Sequence, residues 1–400
     1  MMPPTPHTIL RAASLWVALA GLHAFAQAQP AQPALDPPAT DDTPRPLVWR
    51  VFAGAERDTN VLRAPQALSD RIGVFGAGVR LDKSYSLQRL VVDADVTARR
   101  FDRHDALDHE LLNYRAAWDF AVTPRLRGTL STQQEQVRDL TDAGAGLMRV
   151  DRRTERRHLL EARLEPGGGW LSEAGLEHAR VRSDERRAID ADVDIDSLRV
   201  AGGYEFPSGL RLLGQLRRGT GDYRETGAGD FKETGLDLLL RAARRSALSL
   251  DARLGHLRRR HDADGLRDFD GPVGEANLVW QAAAKTRLEL HAARELGHYG
   301  ADGGGRVKTW RLALAPVWEA GAHTTVTLRH AHERQDWEVA PTAPDAGRED
   351  RLRSTSLSLQ WRPRPWLGLD AQVRALRRDS SLTANRFRAT VTSLVARLNF

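Results

Sequence analysis

The sequence contains no cysteine among its 400 residues, and no long apolar run follows residue 26. The absence of cysteine excludes disulfide bonds and thiol catalysis. The absence of apolar runs of ~20 residues after that point excludes a bundle of membrane-spanning helices. A membrane protein without such helices has one other architecture, a closed β-barrel, because every backbone polar group within lipid must be hydrogen-bonded.

The chain also lacks any long block of like charge. Its 59 Lys and Arg residues and 53 Asp and Glu residues are interleaved, and they leave a net charge of +6 at pH 7. A nucleic-acid-binding protein concentrates basic residues in a patch or a recognised motif, and neither is present here. We therefore expect no nucleic-acid partner. The charged fraction of 28% is compatible with a membrane barrel, because half of each strand faces water.

The N-terminal segment has the features of a secretory signal. Arg11 precedes the apolar segment 12–26, and residues 26–28 (Ala-Gln-Ala) give the small-x-small pattern of a cleavage site. A retained membrane anchor is the alternative, but the apolar segment is shorter than the ~20 residues that a spanning helix needs. We predict a signal peptide over residues 1–28, a Pro-rich periplasmic linker over 29–46 and a barrel over 47–400.

From Leu47 onward, segments of about ten residues alternate between apolar and polar positions. In the segment 112–120, for example, the even positions are apolar or aromatic and most odd positions are polar. Long and short connections alternate between the segments, with long ones at 57–71 and 138–155, for instance. A soluble β-sandwich or propeller does not predict this alternation. The pattern predicts an all-β protein, a transmembrane antiparallel up-and-down barrel of about 18 strands, with 16 also plausible.

The C-terminal segment 390–400 keeps the same alternation and ends on Phe400. The apolar positions Leu394, Leu398 and Phe400 resemble the signal that outer-membrane β-barrels present to the barrel-assembly machinery. We therefore predict a protein of the Gram-negative outer membrane, with membrane lipid and the assembly machinery as partners. We expect the last strand to pair with the strand near Leu47 and so close the barrel.

Apolar faces directed at lipid would leave the polar faces to line the lumen. Many of these charges are expected to pair across strands and brace the wall, and a small excess of arginine favours anionic or hydroxyl-rich solutes. Eighteen strands are wide enough to leave an aqueous channel. The candidate lumen-lining residues are Arg115, Arg125, Arg127, Arg211, Arg217, Arg253, Arg374, Asp93, Asp95 and Asp370.

Catalytic and metal-binding interpretations rest on a few histidines. His104 and His109 share one predicted loop, and His330 and His332 share one strand face, but no third metal ligand is evident. No G-x-S-x-G motif is present, and Asp262 begins only a fragment of a calcium loop. We expect no catalytic, cofactor or metal site, and an outer-membrane hydrolase stays as the least favoured alternative.

Several segments within residues 47–135 occur in a characteristic order, among them 58–63 (DTNVLR), 81–83 (LDK) and 112–114 (LNY). They resemble the EpsL-type outer-membrane proteins of exopolysaccharide operons, which accompany exosortase systems. The resemblance implies a passive conduit in exopolysaccharide biosynthesis or export, with the polysaccharide chain and periplasmic export components as partners. It implies no catalytic residues. A general diffusion porin is the alternative.

Overall fold

The computed structural model describes residues 46–142, 148–184, 192–224, 229–242, 247–262, 265, 268–297, 306–338 and 347–400. The predicted signal peptide and nearly all of the predicted linker lie outside the described residues. Among those residues, no helix is long and apolar enough to cross a membrane.

Eighteen strands account for most of the described chain. They are β1 Leu47–Asp58, β2 Asp70–Tyr85, β3 Gln88–Phe101, β4 His109–Ala121, β5 Leu126–Asp142, β6 Met148–Gly167, β7 Trp170–Ser183, β8 Val193–Glu205, β9 Leu210–Tyr223, β10 Phe231–Ala242, β11 Leu248–His261, β12 Phe269–Ala283, β13 Thr286–Gly297, β14 Arg306–Gly321, β15 Thr324–Glu338, β16 Glu349–Arg364, β17 Leu367–Ser380 and β18 Phe387–Asn399.

Each strand pairs antiparallel with its neighbours in sequence, and β18 pairs with β1. Arg50 lies opposite Asn399 in this closing ladder. The closed barrel of 18 strands confirms the predicted architecture, including the pairing of the last strand with the first. Short turns join the strands at one end of the barrel and longer connections join them at the other, the end that faces outward in outer-membrane barrels.

The predicted long connection at 138–155 is wrong. β5 continues to Asp142 and β6 begins at Met148, so most of this segment is a paired hairpin. Opposite residues such as Arg138 and Arg152 are both charged. Consecutive polar residues at 151–157 (DRRTERR) remove the period-two apolar signal from which the other strands were predicted.

The two faces of the wall differ sharply in chemistry. Large apolar side chains on the outer face are exposed, as at Leu236 (61%) and Leu254 (63%). On the inner face, polar side chains are buried, as at Asp237 (2%) and Arg259 (3%). This is the distribution of a barrel that contacts lipid outside and encloses a polar lumen.

Aromatic residues form a girdle on the outer face at the short-turn end. Such girdles lie at the membrane–water interface, because their rings combine an apolar body with a polar edge. Phe400 belongs to this girdle and is 55% exposed. The other members are Trp49, Tyr85, Trp118, Trp170, Trp280, Trp318, Trp361 and Trp366.

Candidate functional site

Ion pairs between strands that are not neighbours show which face is concave. Arg50 of β1 contacts Asp93 of β3 at 2.5 Å, passing over Gly78 of β2. Arg241 of β10 contacts Glu173 of β7, three strands away, at 3.0 Å. Side chains can bridge such separations only across the inside of a curved wall. The lumen is therefore the face that carries these charges, and it is the candidate site.

One side of the lumen, formed by β6 to β12, carries a balanced charge network. Arg259 and Glu233 contact each other at 2.7 Å with both side chains almost fully buried, and Arg253 contacts Asp237 at 3.4 Å. Equal numbers of arginines and acids brace this side. The members are Arg157, Arg163, Arg199, Arg217, Arg241, Arg253, Arg259, Glu161, Glu173, Glu177, Glu233, Asp237, Asp251 and Glu275.

The first outer connection, residues 59–69, folds into the barrel. Val61 is 4% exposed and packs in one buried cluster with Ile72, Val74 and Phe101, which lie on the inner faces of β2 and β3. Its backbone N–H donates to Leu68 O at 2.8 Å and closes the loop on itself. We call this segment the inner loop. It occupies part of the lumen near the outer end.

Polar contacts hold the inner loop in place. Asn60 is 1% exposed, and its Nδ2 donates to Ala64 O at 2.7 Å and to Arg388 O at 3.1 Å. Arg63 adopts a left-handed backbone (φ 53°) and pairs with Asp58 at 2.7 Å. This backbone conformation is uncommon for a residue with a side chain. The loop is thus tied both to β1 and to β18.

An arginine cluster consists of Arg63 of the inner loop and four arginines beneath that loop. Arg138 stacks over Phe101 at 5.2 Å, and its buried Nε and Nη2 find no hydrogen-bond partner in the described part of the chain. Its charge interacts with those of Arg63 and Arg99. Arg374 lies on β17, beyond the closing ladder between β18 and β1, and its charge interacts with those of Arg63 and Arg329. The five arginines of this cluster are Arg63, Arg99, Arg138, Arg329 and Arg374.

Two acids lie within this cluster. Glu56 pairs with Arg99 at 2.9 Å, and Asp58 pairs with Arg63. Five arginines against two acids leave a local excess of positive charge, in contrast to the balanced network on β6 to β12. The lumen therefore has one cationic side and one neutral side, and a negatively charged solute would be drawn toward the inner loop.

The structure places most of the residues predicted to line the lumen on the inner face. Asp93 opposes Arg115 across β3 and β4, and Arg374 opposes Ser356 and Val391. Arg127 lies on the inner face at the short-turn end, whereas Arg125 lies in the exposed turn before β5. The remaining residues on the inner face are Asp95, Arg211, Arg217, Arg253 and Asp370.

Sequence reasoning missed Arg63 and Arg138, since both fell in predicted connections. Val61 and Leu62 carried a usable signal, because two adjacent apolar residues in an otherwise polar loop need a surface to pack against.

The histidines considered for catalysis do not form one site. His104 Nδ1 contacts Asp70 Oδ2 at 2.7 Å, and His109 Nδ1 contacts Leu107 O at 2.8 Å. His330 lies on the outer face and contacts Thr355 Oγ1 at 2.9 Å. No group of three metal-ligating side chains comes together within the described residues. Part of the calcium-loop fragment after Asp262 lies outside the described residues.

Comparison with known proteins finds similarity to other β-barrels. Residues 233–400 match a family model described as "Putative beta-barrel porin 2". The structure is similar to Pseudomonas aeruginosa OpdK with vanillate, with a TM-score of 0.50 and 12% identity, covering 88% of this chain and 99% of that one. A BenF-like porin from Pseudomonas fluorescens Pf-5 gives a TM-score of 0.47 and 10% identity, covering 88% of this chain and 98% of that one. No curated protein matches the sequence.

The family match and the similarity to OpdK agree with the architecture described above. The chain is an outer-membrane β-barrel of porin architecture, as its apolar outer face, aromatic girdle and charged lumen require. The matched family segment runs from Glu233, near the start of β10, through β18 to the end of the chain. It does not overlap residues 47–135, which carry the resemblance to EpsL-type proteins.

Proposed function

We propose that this protein is a diffusion pore of the outer membrane that favours small anionic solutes. The observation that carries the proposal is the arginine cluster at the inner loop, in which five interacting arginines accompany two acids. Arginine offers a planar fork of donors that matches a carboxylate or phosphate group.

The charges on the lumen wall are arranged so that a solute can pass without being bound tightly. The balanced network on β6 to β12 keeps its charges paired with one another, so this side offers a passing solute many weak contacts and no strong one. On the cationic side, two buried guanidinium nitrogens of Arg138, Nε and Nη2, have no partner in the described chain. An anion held briefly at this point would satisfy them and then leave. The OpdK structure was solved with vanillate, a carboxylate, so a barrel of this architecture accommodates an organic anion.

A role in exopolysaccharide export is supported only by the resemblance over residues 47–135. Neither the matched family description nor the porins reported above concern exopolysaccharide. The inner loop also occupies part of the lumen, and a sliding polymer needs a continuous clear path. We therefore favour the porin, which the sequence had offered as the alternative, and we propose that the protein has no catalytic activity.

Planar bilayers test this function directly. The purified protein should form stable channels whose reversal potential in a KCl gradient shows preference for chloride over potassium. Replacing Arg63, Arg138 and Arg374 together with glutamine should reduce that preference about tenfold or abolish it, because the local field that concentrates anions is removed. Uptake of small carboxylates into vesicles should fall in parallel.

A matched control removes lumen charge without changing its balance. Arg211 and Glu205 contact each other at 2.7 Å near the short-turn end, and the double variant R211Q/E205Q should keep the selectivity of the wild type. A wild-type channel that prefers cations would refute the proposal. A wild-type protein that passes no ions but restores export of polysaccharide in cells would favour the conduit instead.

A further inference from the structure

The outer face of β16 to β18 carries a row of arginines. Arg353 lies directly opposite Arg377, and Arg377 lies directly opposite Arg388. We call these three residues the arginine row. All three are exposed, and each lies within four residues of the outer end of its strand. Leu357 and Val373 lie on the same outer face, nearer the middle of the membrane, and are 52% and 49% exposed.

The arginine row holds three positive charges beside a single acid, Asp379, whose carboxylate interacts with all three guanidinium groups. Arg377 donates to Asp379 Oδ1 from Nε at 2.9 Å and from Nη2 at 2.8 Å. The side chains of Arg353 and Arg388 form no ion pair with any residue that the structure describes. Like charges placed directly opposite each other in a sheet are destabilising. Binding of an external anion between these arginines would therefore relieve the repulsion between them.

Several other arginines at the same level of the outer face are paired with acids. Arg180 contacts Asp194 at 2.9 Å, Arg258 contacts Asp270 at 3.8 Å, and Arg260 contacts Asp268 at 2.6 Å. These charges are neutralised within the protein. Arg57 and Arg71 also lie directly opposite each other on the outer face, so what distinguishes the arginine row is its third member and the groove beside it.

A groove runs along the arginine row. Its volume is 450 Å³, and its lining includes all three arginines together with His330, Thr355 and Thr390. Hydroxyl and imidazole groups add donors beside the guanidinium groups. The groove lies on the outer face of the barrel, immediately outward of the apolar belt, at the level where lipid headgroups begin.

We propose that the arginine row binds the phosphate groups of lipopolysaccharide in the outer leaflet. Lipopolysaccharide places phosphorylated sugars at the boundary between acyl chains and water. Arginine forks bind phosphate oxygens through paired hydrogen bonds, while the exposed leucine and valine side chains contact the acyl chains. The site is on the outside of the barrel, so it is independent of the solute path and fixes one sector of the wall to its lipid.

The test compares binding of defined lipids to the intact protein in detergent. Native mass spectrometry of the wild type should show bound lipid A that carries both phosphates, and binding of dephosphorylated lipid A should be about tenfold weaker because the charge-assisted hydrogen bonds are lost. The variant R353Q/R377Q/R388Q should lose the same factor. Inorganic phosphate, added alone as a competitor, should displace the lipid only weakly.

The matched control is R180Q/R258Q/R260Q, which removes three arginines from the same face and level but leaves the groove intact. Its affinity for lipid A should stay within about twofold of the wild type. The single variant R388Q should lose an intermediate amount of affinity for lipid A. It provides the test if the triple variant fails to assemble. The proposal is overturned if dephosphorylated lipid binds equally well, if both triple variants lose affinity equally, or if inorganic phosphate competes fully and marks a site for the free ion.

Discussion

Phe400 and Trp49 exchange a pair of backbone hydrogen bonds that close the barrel. The N–H of Phe400 donates to Trp49 O at 2.9 Å, and the N–H of Trp49 donates to Phe400 O at 3.2 Å. Both rings lie in the aromatic girdle, with 55% exposure each. The last residue of the chain is therefore the final rung of the seam between β18 and β1, as well as an interfacial aromatic.

Deleting Phe400 should reduce the amount of assembled barrel and leave the conductance of each assembled channel unchanged. The deletion removes one rung of the seam and the aromatic end of the predicted assembly signal, which includes Leu394 and Leu398. Heat-modifiable mobility on gels measures assembly, and single-channel recording measures function. F206A, which removes an aromatic from a turn far from the seam, should assemble normally. Normal assembly of the deletion variant with altered conductance would contradict this role for Phe400.

The strands could be predicted because turns and alternation are local properties. Many inward charges are followed by an outward apolar residue, as Asp237 is by Leu238 and Arg253 by Leu254, so the strands can be recognised without knowing which strands pair. The inner loop could not be predicted in this way. Val61 is buried only because Ile72, Val74 and Phe101 happen to face the same part of the lumen, which is a property of the closed barrel. The arginine row was not predicted either, because the outer face was expected to be uniformly apolar.

Releasing the inner loop should widen the channel. V61D places a charge in a cluster where the native side chain is 4% exposed, and burial of an unpaired carboxylate is costly enough to expel the segment. We expect larger single-channel conductance, weaker anion preference and new protease cleavage within residues 59–69. L87D alters an exposed side chain in a short turn and should change none of these. Unchanged conductance of assembled V61D channels would show that the inner loop does not restrict the path.

The ion pair between Glu233 and Arg259 should contribute strongly to stability. Arg259 also stacks on Phe231 at 4.0 Å, so E233Q would leave its charge buried with no opposite charge at this contact. We expect a loss of about 3–5 kcal/mol in the free energy of unfolding, measured by urea titration in lipid vesicles. The exposed pair of Lys232 and Asp262 gives the comparison, since D262N should cost no more than about 1 kcal/mol. Similar losses for both variants would mean that water screens the inner pair as effectively as the outer one.

Phe231 lies over Gly221, its direct partner in the ladder between β9 and β10. A Cβ at position 221 would overlap the Phe231 ring, so G221A should force the ring aside and cost about 1–3 kcal/mol of unfolding free energy. G214A is the control in the same strand, because a Cβ there meets nothing within 4 Å. In an F231L background the obstructing ring is gone, and G221A should then cost less than half as much. Equal costs in the two backgrounds would show that the requirement for glycine comes from the backbone and not from the ring of Phe231.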